Sequence, residues 1–453
     1  MAQRSKETEV RLFALLERGS MTSRDIQDAL GTSQPTVSRL TSDLEGRVLQ
    51  LGRGKSTRYA LPRDIRGHGH AFPIYRVTPT GDVTRLGNLF ALRGNEYWWD
   101  PVDARGEIFV HLPWFVQDLR PSGFMGRAFA HRNGEQLGLH NRLQDWSEEH
   151  VLVALSSRGD DLMGNLIVGD ESLGRYFEAA RQPQSAIRAE TRTTAYPKLV
   201  EAAMAGDPPG SSAAGEQPKF AAIVEEAAGV RHVLVKFSPP THTVSGRRWA
   251  DLLVCEHIAL DVIRRRKIAA VESHLLEAGG RCLLEVTRFD RQGWLGRLPL
   301  LSLMAIDLEF FGQLDDWVSA ASRLEGRGML SREDADRLRW LSVFGNLVAN
   351  TDQHFGNVSL ITVDGGRRFA LAPAYDMLPM LYAPPGDEVP VRVFDPRFRA
   401  KARAIEQWED ALAWAILFWE TAATDDRISE EFRGLCGENA RLLQGLVGGP
   451  RLL

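Results

Sequence analysis

The segment Asn350-Thr351-Asp352-Gln353-His354-Phe355-Gly356-Asn357 holds the residues best suited to chemistry in this chain. It is polar, whereas residues 338–348 before it read as an apolar helix and residues 358–361 after it as an apolar strand. Polar loops between such elements are where reactive groups are commonly placed. Asp352 and Asn357 stand five positions apart. That is the spacing of a D-x-x-x-x-N loop, in which the aspartate accepts the proton of a hydroxyl nucleophile and the asparagine holds Mg²⁺. Nineteen residues beyond Asn357, Leu371-Ala372-Pro373-Ala374-Tyr375-Asp376 ends in a second carboxylate. A carboxylate at a strand end supplies the hard oxygen that a magnesium-bound nucleotide requires. Taken singly, Asp352 could cap a turn and Asp376 a helix. Taken together, they favour phosphoryl transfer.

A lysine upstream strengthens that reading. Arg231-His232-Val233-Leu234-Val235-Lys236-Phe237 reads as a strand with Lys236 among apolar neighbours. A buried ammonium is costly unless paired. Glu256 follows twenty residues later within the helical pattern Leu252, Leu253, Glu256, Leu260. A strand lysine paired with a helix glutamate is the arrangement that positions phosphates in kinases. The plainer alternative is a lysine on an edge strand with its charged end in water. Before the strand lies Ser211-Ser212-Ala213-Ala214-Gly215-Glu216-Gln217-Pro218-Lys219-Phe220. Its small residues could present backbone N–H groups to phosphate, although it lacks the G-x-G-x-x-G pattern.

The elements that must position these groups follow from composition and periodicity. At 453 residues, 43% apolar and 25% charged, the chain has material for several domains with ample cores. Its net charge of -4, from 55 basic and 59 acidic residues, excludes a wholly basic nucleic-acid coat protein but leaves room for a local basic module. The cysteines Cys255, Cys282 and Cys436 are far apart and without CxxC spacing, which argues against a disulfide framework or structural zinc. The N-terminus lacks a secretory apolar run. The most apolar stretch, residues 411–419, is short and bracketed by Asp410 and Glu420. A cytoplasmic protein without membrane contact is expected.

Residues 1–65 read as a small DNA-binding module. Val10, Phe13 and Leu16, then Ile26 and Leu30, recur at helical spacing; Ser23 is placed to cap the second helix, Gly31 breaks it, and Ser33 is placed to cap a third. Val37, Leu40 and Leu44 share one face of the third helix, and Gln34, Thr36, Ser38 and Arg39 lie opposite, where they could enter a major groove. Two short strands around Gly52-Arg53-Gly54-Lys55-Ser56-Thr57 would form a basic wing, with Arg53, Lys55 and Arg58 toward phosphate. A winged helix used for protein contacts alone is the competing reading. Gly54-Lys55-Ser56-Thr57 resembles the end of a phosphate-binding P-loop, but Leu49 stands where its first glycine belongs and no helix pattern follows. Residues 62–72 read as a linker, residues 74–92 as a hairpin, and residues 181–219, rich in Pro, Ala, Gly and Ser, as a mobile connection.

In chain order, Ser212-x-x-Gly215-x-Gln217-x-Lys219, Lys236, Arg288-Phe289-Asp290-Arg291, Thr351-Asp352-x-His354-x-x-Asn357 and Leu371-Ala372-Pro373-x-Tyr375-Asp376 resemble the HipA-like serine/threonine kinases of bacterial toxin–antitoxin systems. The resemblance spans roughly residues 75–440, and the fused N-terminal module is similar to the HipH (YjjJ-type) branch. It implies an α+β multidomain protein with a protein-kinase-like HipA fold. The expected parts are a winged helix-turn-helix at 1–65, a β-containing N-terminal subdomain at 72–200, a kinase N-lobe at 201–300 and an α-rich C-lobe at 301–453.

The resemblance also implies roles. Asp352 would be the catalytic base, with Lys236 on the ATP phosphates and Asn357 and Asp376 on Mg²⁺. His354 would either fix the catalytic loop or serve structure alone. Ser212, Gly215, Gln217, Lys219, Glu256, Arg288 and Phe289 would complete the ATP site. Ser212, or its neighbour Ser211, would be autophosphorylated, and the added charge could eject the loop and switch the enzyme off. Thr287 stands where the best-known members carry an acid near the adenine hinge, which puts the adenine contacts in doubt. The implied partners are DNA and a protein substrate such as an aminoacyl-tRNA synthetase or another translation factor; a separate antitoxin is left open. Two readings of other classes compete: a DNA-binding regulator whose kinase fold is a sensor, and a metal-dependent DNase using Asp352, His354 and Asp376.

Overall fold

A computed structural model describes residues 2–54, 57–181, 186–206, 217–363, 366–396 and 404–448. The chain forms two compact units, Met1–Arg120 with Asn133–Gln182, and Pro121–Arg132 with Pro183–Leu453.

In the first unit, the helices Ala2–Leu16, Ser23–Leu30 and Gln34–Asp43 precede a three-stranded sheet ordered Met21–Thr22, Arg58–Ala60, Leu49–Leu51. Leu12, Leu16, Ile26, Leu30, Val37, Leu44, Val48, Tyr59 and Leu61 form one core, with Phe13 and Leu40 partly buried against it. Val10, expected on the buried face of the first helix, is instead 68% exposed, and Leu12 takes that place. The second helix is capped by Thr22 and not Ser23, because Thr22 and Asp25 bond reciprocally, and it ends on Gly31 at φ 62°. Ser33 precedes the third helix without a side-chain capping bond; its hydroxyl meets that of Thr36 at 3.1 Å.

A five-stranded antiparallel sheet follows, ordered Glu107–Phe109, Tyr97–Pro101, Val83–Ala91, Ala71–Val77, Leu166–Val168. Residues 62–72, expected as a linker, are instead tied to this sheet. The Arg63 amide donates to the Ala91 carbonyl and that of Arg93 to Leu61, each at 2.9 Å. Leu51 and Ala60 pack against Leu92 and Trp98. The Ser20 amide donates to Glu96 Oε2 at 2.7 Å. Gly94, at φ 77°, lets the chains approach so closely that a Cβ there would lie 2.6 Å from the Gly19 Cα.

In the second unit, a five-stranded sheet is ordered Ser273–Ala278, Arg281–Thr287, Gly229–Phe237, Lys219–Glu226, Ile187–Arg188, antiparallel except for its last pair. Strand alternation decides the rest. Val233, Val235 and Phe237 pack with Tyr196 and Val200 of the helix Arg192–Ala205. Lys236 therefore points to the other face, where the 22-residue helix Val244–Arg265 lies. Of the mobile connection expected through 181–219, residues 182–185 and 207–216 lie outside the described residues, and the helix Arg192–Ala205 corrects the part it spans. Its Pro197 and small residues gave a weak local signal, and burial of Tyr196 (0% exposed) in the sheet core outweighs it.

The rest of this unit is α-rich. The helices Arg332–Leu347, Ile405–Thr424 and Glu430–Gln444 pack around Trp340, Phe344, Phe418 and Trp419. A small sheet, ordered Leu300–Ser302, Ser359–Val363, Arg368–Leu371, carries the polar loop on one end. Among the described residues, no helix is long and apolar enough to cross a membrane.

Candidate active site

Lys236 is 6% exposed, and its ammonium lies between two carboxylates. Its Nζ donates to Glu256 Oε1 at 2.6 Å and Oε2 at 2.7 Å, and also to Asp376 Oδ1. The pair expected from strand and helix is thus formed, and the second carboxylate comes from 140 residues further along the chain. Burial alone would depress the lysine; Asp376 and Glu256 together hold its pKa above the ordinary lysine value. Burial likewise works against the Asp376 charge, but Lys236, aided by Lys219, brings that carboxyl down to about 2. Glu256 shifts the other way: burial raises it and Asp376 adds to the rise, against the pull of Lys236. One ammonium cannot fully compensate two carboxylates.

The backbone of Asp376 sits at φ 51°, in the left-handed region, where a non-glycine residue is strained. Asn350 helps hold it: its Nδ2 donates to the Asp376 carbonyl at 3.3 Å, while its Oδ1 accepts the Asp352 amide at 3.0 Å. One buried asparagine therefore connects the Asp376 segment to the polar loop. Asn357 Nδ2 donates to the Asp352 carbonyl at 2.8 Å and to its Oδ2 at 3.3 Å. His354 Nδ1 accepts the Gly356 amide at 3.0 Å, and its Nε2 is 3.8 Å from Asp352 Oδ1. The Tyr375 hydroxyl donates to the Gly356 carbonyl at 3.1 Å and meets Ser359 Oγ at 2.8 Å.

Asp352, His354, Asn357, Asp376, Lys236 and Glu256 therefore belong to one connected network. Lys219 pairs in register with Lys236 across the sheet. Gln217 Nε2 donates to the Phe237 carbonyl at 2.9 Å. The Phe289 ring lies 6.0 Å from that of Tyr375. Arg288 turns to Asp290, at 3.1 and 2.9 Å, so its charge is engaged within its own loop. Thr287 accepts from Arg231 Nη1 at 3.1 Å. Arg231 also binds Glu285 at 2.6 Å, so Thr287 belongs to an arginine-centred network. Ser211, Ser212 and Gly215 lie outside the described residues, as does Lys55.

Two contributors were missed in the sequence. Asn350 stands two residues before Asp352, and only its place in the loop could have singled it out. Tyr375 was read as part of a motif without a role.

The oxygens present fit a hard divalent cation. The Asp376 side chain is 25% exposed, and Asn357 donates through its nitrogen, which leaves its amide oxygen to a metal. In the N-terminal module, Gln34, Ser38, Arg39 and Arg53 are exposed and Thr36 is half-buried. Arg58 donates to Ser20 Oγ at 3.1 Å and to its carbonyl at 2.6 Å, so it ties its own strand to the residue that precedes the strand Met21–Thr22.

Residues 68–177 match the family described as the YjjJ-like toxin middle domain, and residues 211–436 match the HipA-like C-terminal domain. A solved HipA, from a Shewanella oneidensis MR-1 toxin–antitoxin complex with HipB and operator DNA, has a similar fold: TM-score 0.52 at 14% identity, covering 83% of this chain and 96% of that one. A Helicobacter pylori proinflammatory kinase, CtkA, aligns at TM-score 0.35 and 12% identity over 51% of this chain and 88% of its own. The class defined by fold and sequence is that of HipA-like toxins. Toxin YjjJ of Escherichia coli (strain K12) is 36% identical over 444 residues, 94% of this chain and 96% of the relative. The chain belongs to the YjjJ-like family of HipA-like toxins.

Proposed function

We propose that this chain is an ATP- and Mg²⁺-dependent protein serine/threonine kinase carrying its own DNA-binding domain. The observation that carries the reading is Lys236 bonded to both Glu256 and Asp376, with Asn350 linking Asp376 to Asp352. That network supports the reading by linking the Lys236 ammonium, the Asp376 carboxylate and the Asp352 loop, groups that phosphoryl transfer would use.

In this reading, Lys236 binds the phosphates of ATP. Asn357 and Asp376 hold Mg²⁺, which would neutralise charge on the phosphates when bound. Asp352 accepts the proton of a substrate hydroxyl as that oxygen attacks the γ-phosphorus and ADP leaves. Asn357 and His354 keep the loop in place through their bonds within it. Ser212 or Ser211 is the autophosphorylation site, and an aminoacyl-tRNA synthetase or another translation factor is the class of external substrate. The first 65 residues act as a winged helix-turn-helix, reading DNA through Gln34, Thr36, Ser38 and Arg39 and meeting phosphate through Arg53 and Lys55. The test is phosphate incorporation from Mg-ATP, mapped by mass spectrometry. Phosphate on a serine or threonine supports the reading; plasmid cleavage in Mg²⁺ without ATP would replace it with a nuclease.

A further inference from the structure

The helix Val244–Arg265 carries Glu256, and its position along its own axis decides whether that carboxylate meets Lys236. A shift of one residue is ~1.5 Å, enough to break bonds of 2.6 and 2.7 Å. Something other than the lysine holds that register.

Three contacts lie on one face of this helix. Asp251, 2% exposed, accepts the Ser429 amide on Oδ1 at 2.7 Å and the Ser429 hydroxyl on Oδ2 at 2.6 Å. One turn earlier, Arg248 Nη2 donates to Glu431 Oε1 at 3.0 Å, and its guanidinium lies 4.6 Å over the Phe432 ring. One turn later, the buried Cys255 thiol lies beside the buried Cys436. Positions 248, 251 and 255 follow i, i+3, i+7 spacing, and so do 429, 432 and 436 on the helix Glu430–Gln444 and its cap. Glu256 is the residue after Cys255 and so points away from this seam, toward the sheet.

We propose that Asp251 and Ser429 form a latch through which the C-terminal helix positions Glu256, and with it Lys236. The catalytic consequence rests on the kinase reading above; the latch itself does not. Both are positioning residues. Both oxygens of the buried carboxylate accept from Ser429, which fixes direction as well as distance, while Arg248 Nε, on the same helix, lies 3.9 Å from Oδ2. Apolar packing of the same volume would hold the helices together without fixing their axial register.

The test uses the full-length chain with Ser429→Ala, Ser429→Thr, Asp251→Ala and Glu256→Gln. Ser429→Ala and Asp251→Ala are expected to raise KM for Mg-ATP roughly ten-fold, the scale of a lost hydrogen bond to a charged group, with a smaller change in kcat. Ser429→Thr, which keeps the hydroxyl, restores the wild-type value. In the Glu256→Gln background, Asp251→Ala should cost nothing further, because it acts through the group already removed. Additive losses in that background, or losses that merely follow the melting temperature, would overturn the latch. Hydrogen exchange separates this from the kinase reading. If the wild type transfers no phosphate, the kinase reading fails. Faster exchange in residues 252–260 of Asp251→Ala then still supports the latch, and unchanged exchange overturns it.

Discussion

Lys236 has two carboxylate partners and almost no access to water, so its removal acts on stability as well as chemistry. Lys236→Met would leave Glu256 and Asp376 without their shared ammonium, with only Lys219 to offset them. The expected cost is ~3–5 kcal/mol, read as a lower urea midpoint. Adding Glu256→Gln to that variant should recover part of the loss. Asp376 gives a pH signature. Its folded pKa, about 2, lies below the unfolded value, so its stabilisation is present above the ordinary carboxylate range and is lost as pH falls toward 2. Asp376→Asn should therefore flatten the fall in stability between pH ~4 and ~2 measured by acid titration of unfolding. A titration curve identical to wild type would show that Asp376 does not carry the shifted proton.

At the scale of elements, patterning put Lys236 on a strand and Glu256 on a helix; their pairing was an expectation from the kinase arrangement, and the structure brings them together. The loop from Asn350 to Asn357 was legible because it interrupts two apolar elements. Less was visible where tertiary contacts decide. Pro197 hid a helix that exists because Tyr196 and Val200 complete a sheet core. Asn350 looked like any loop polar residue until its two backbone partners were known. Arg58 looked like a phosphate contact, yet its guanidinium is spent on Ser20. This gives a contrast for DNA binding. Under the DNA-binding reading proposed above, Arg39→Ala should lower the slope of log affinity against log salt by about 0.9. Arg58→Ala should instead lower thermal stability. Gly94 tests the seam in the first unit. A methyl group there would meet the backbone of Gly19, so Gly94→Ala should cost ~2–3 kcal/mol in a melt of the first unit's transition.

For the whole molecule, a net charge of -4 conceals a basic stretch near the N-terminus: from Arg39 to Arg58 there are five basic residues against two acidic ones. The similarity that shows the toxin family extends over 94% of the chain. Under the kinase reading, DNA targeting and phosphoryl transfer then reside in one polypeptide, and autophosphorylation at Ser211 or Ser212 would be the internal off-switch. The most direct measurement compares wild type with Asp352→Asn after incubation in Mg-ATP, with phosphosites mapped by mass spectrometry. The expected result is serine or threonine phosphate in the wild type and a loss of at least a hundred-fold, on the order of general-base catalysis, in a folded Asp352→Asn. Equal phosphate in both, or none in either, would contradict the assignment of Asp352 and of the site built around Lys236.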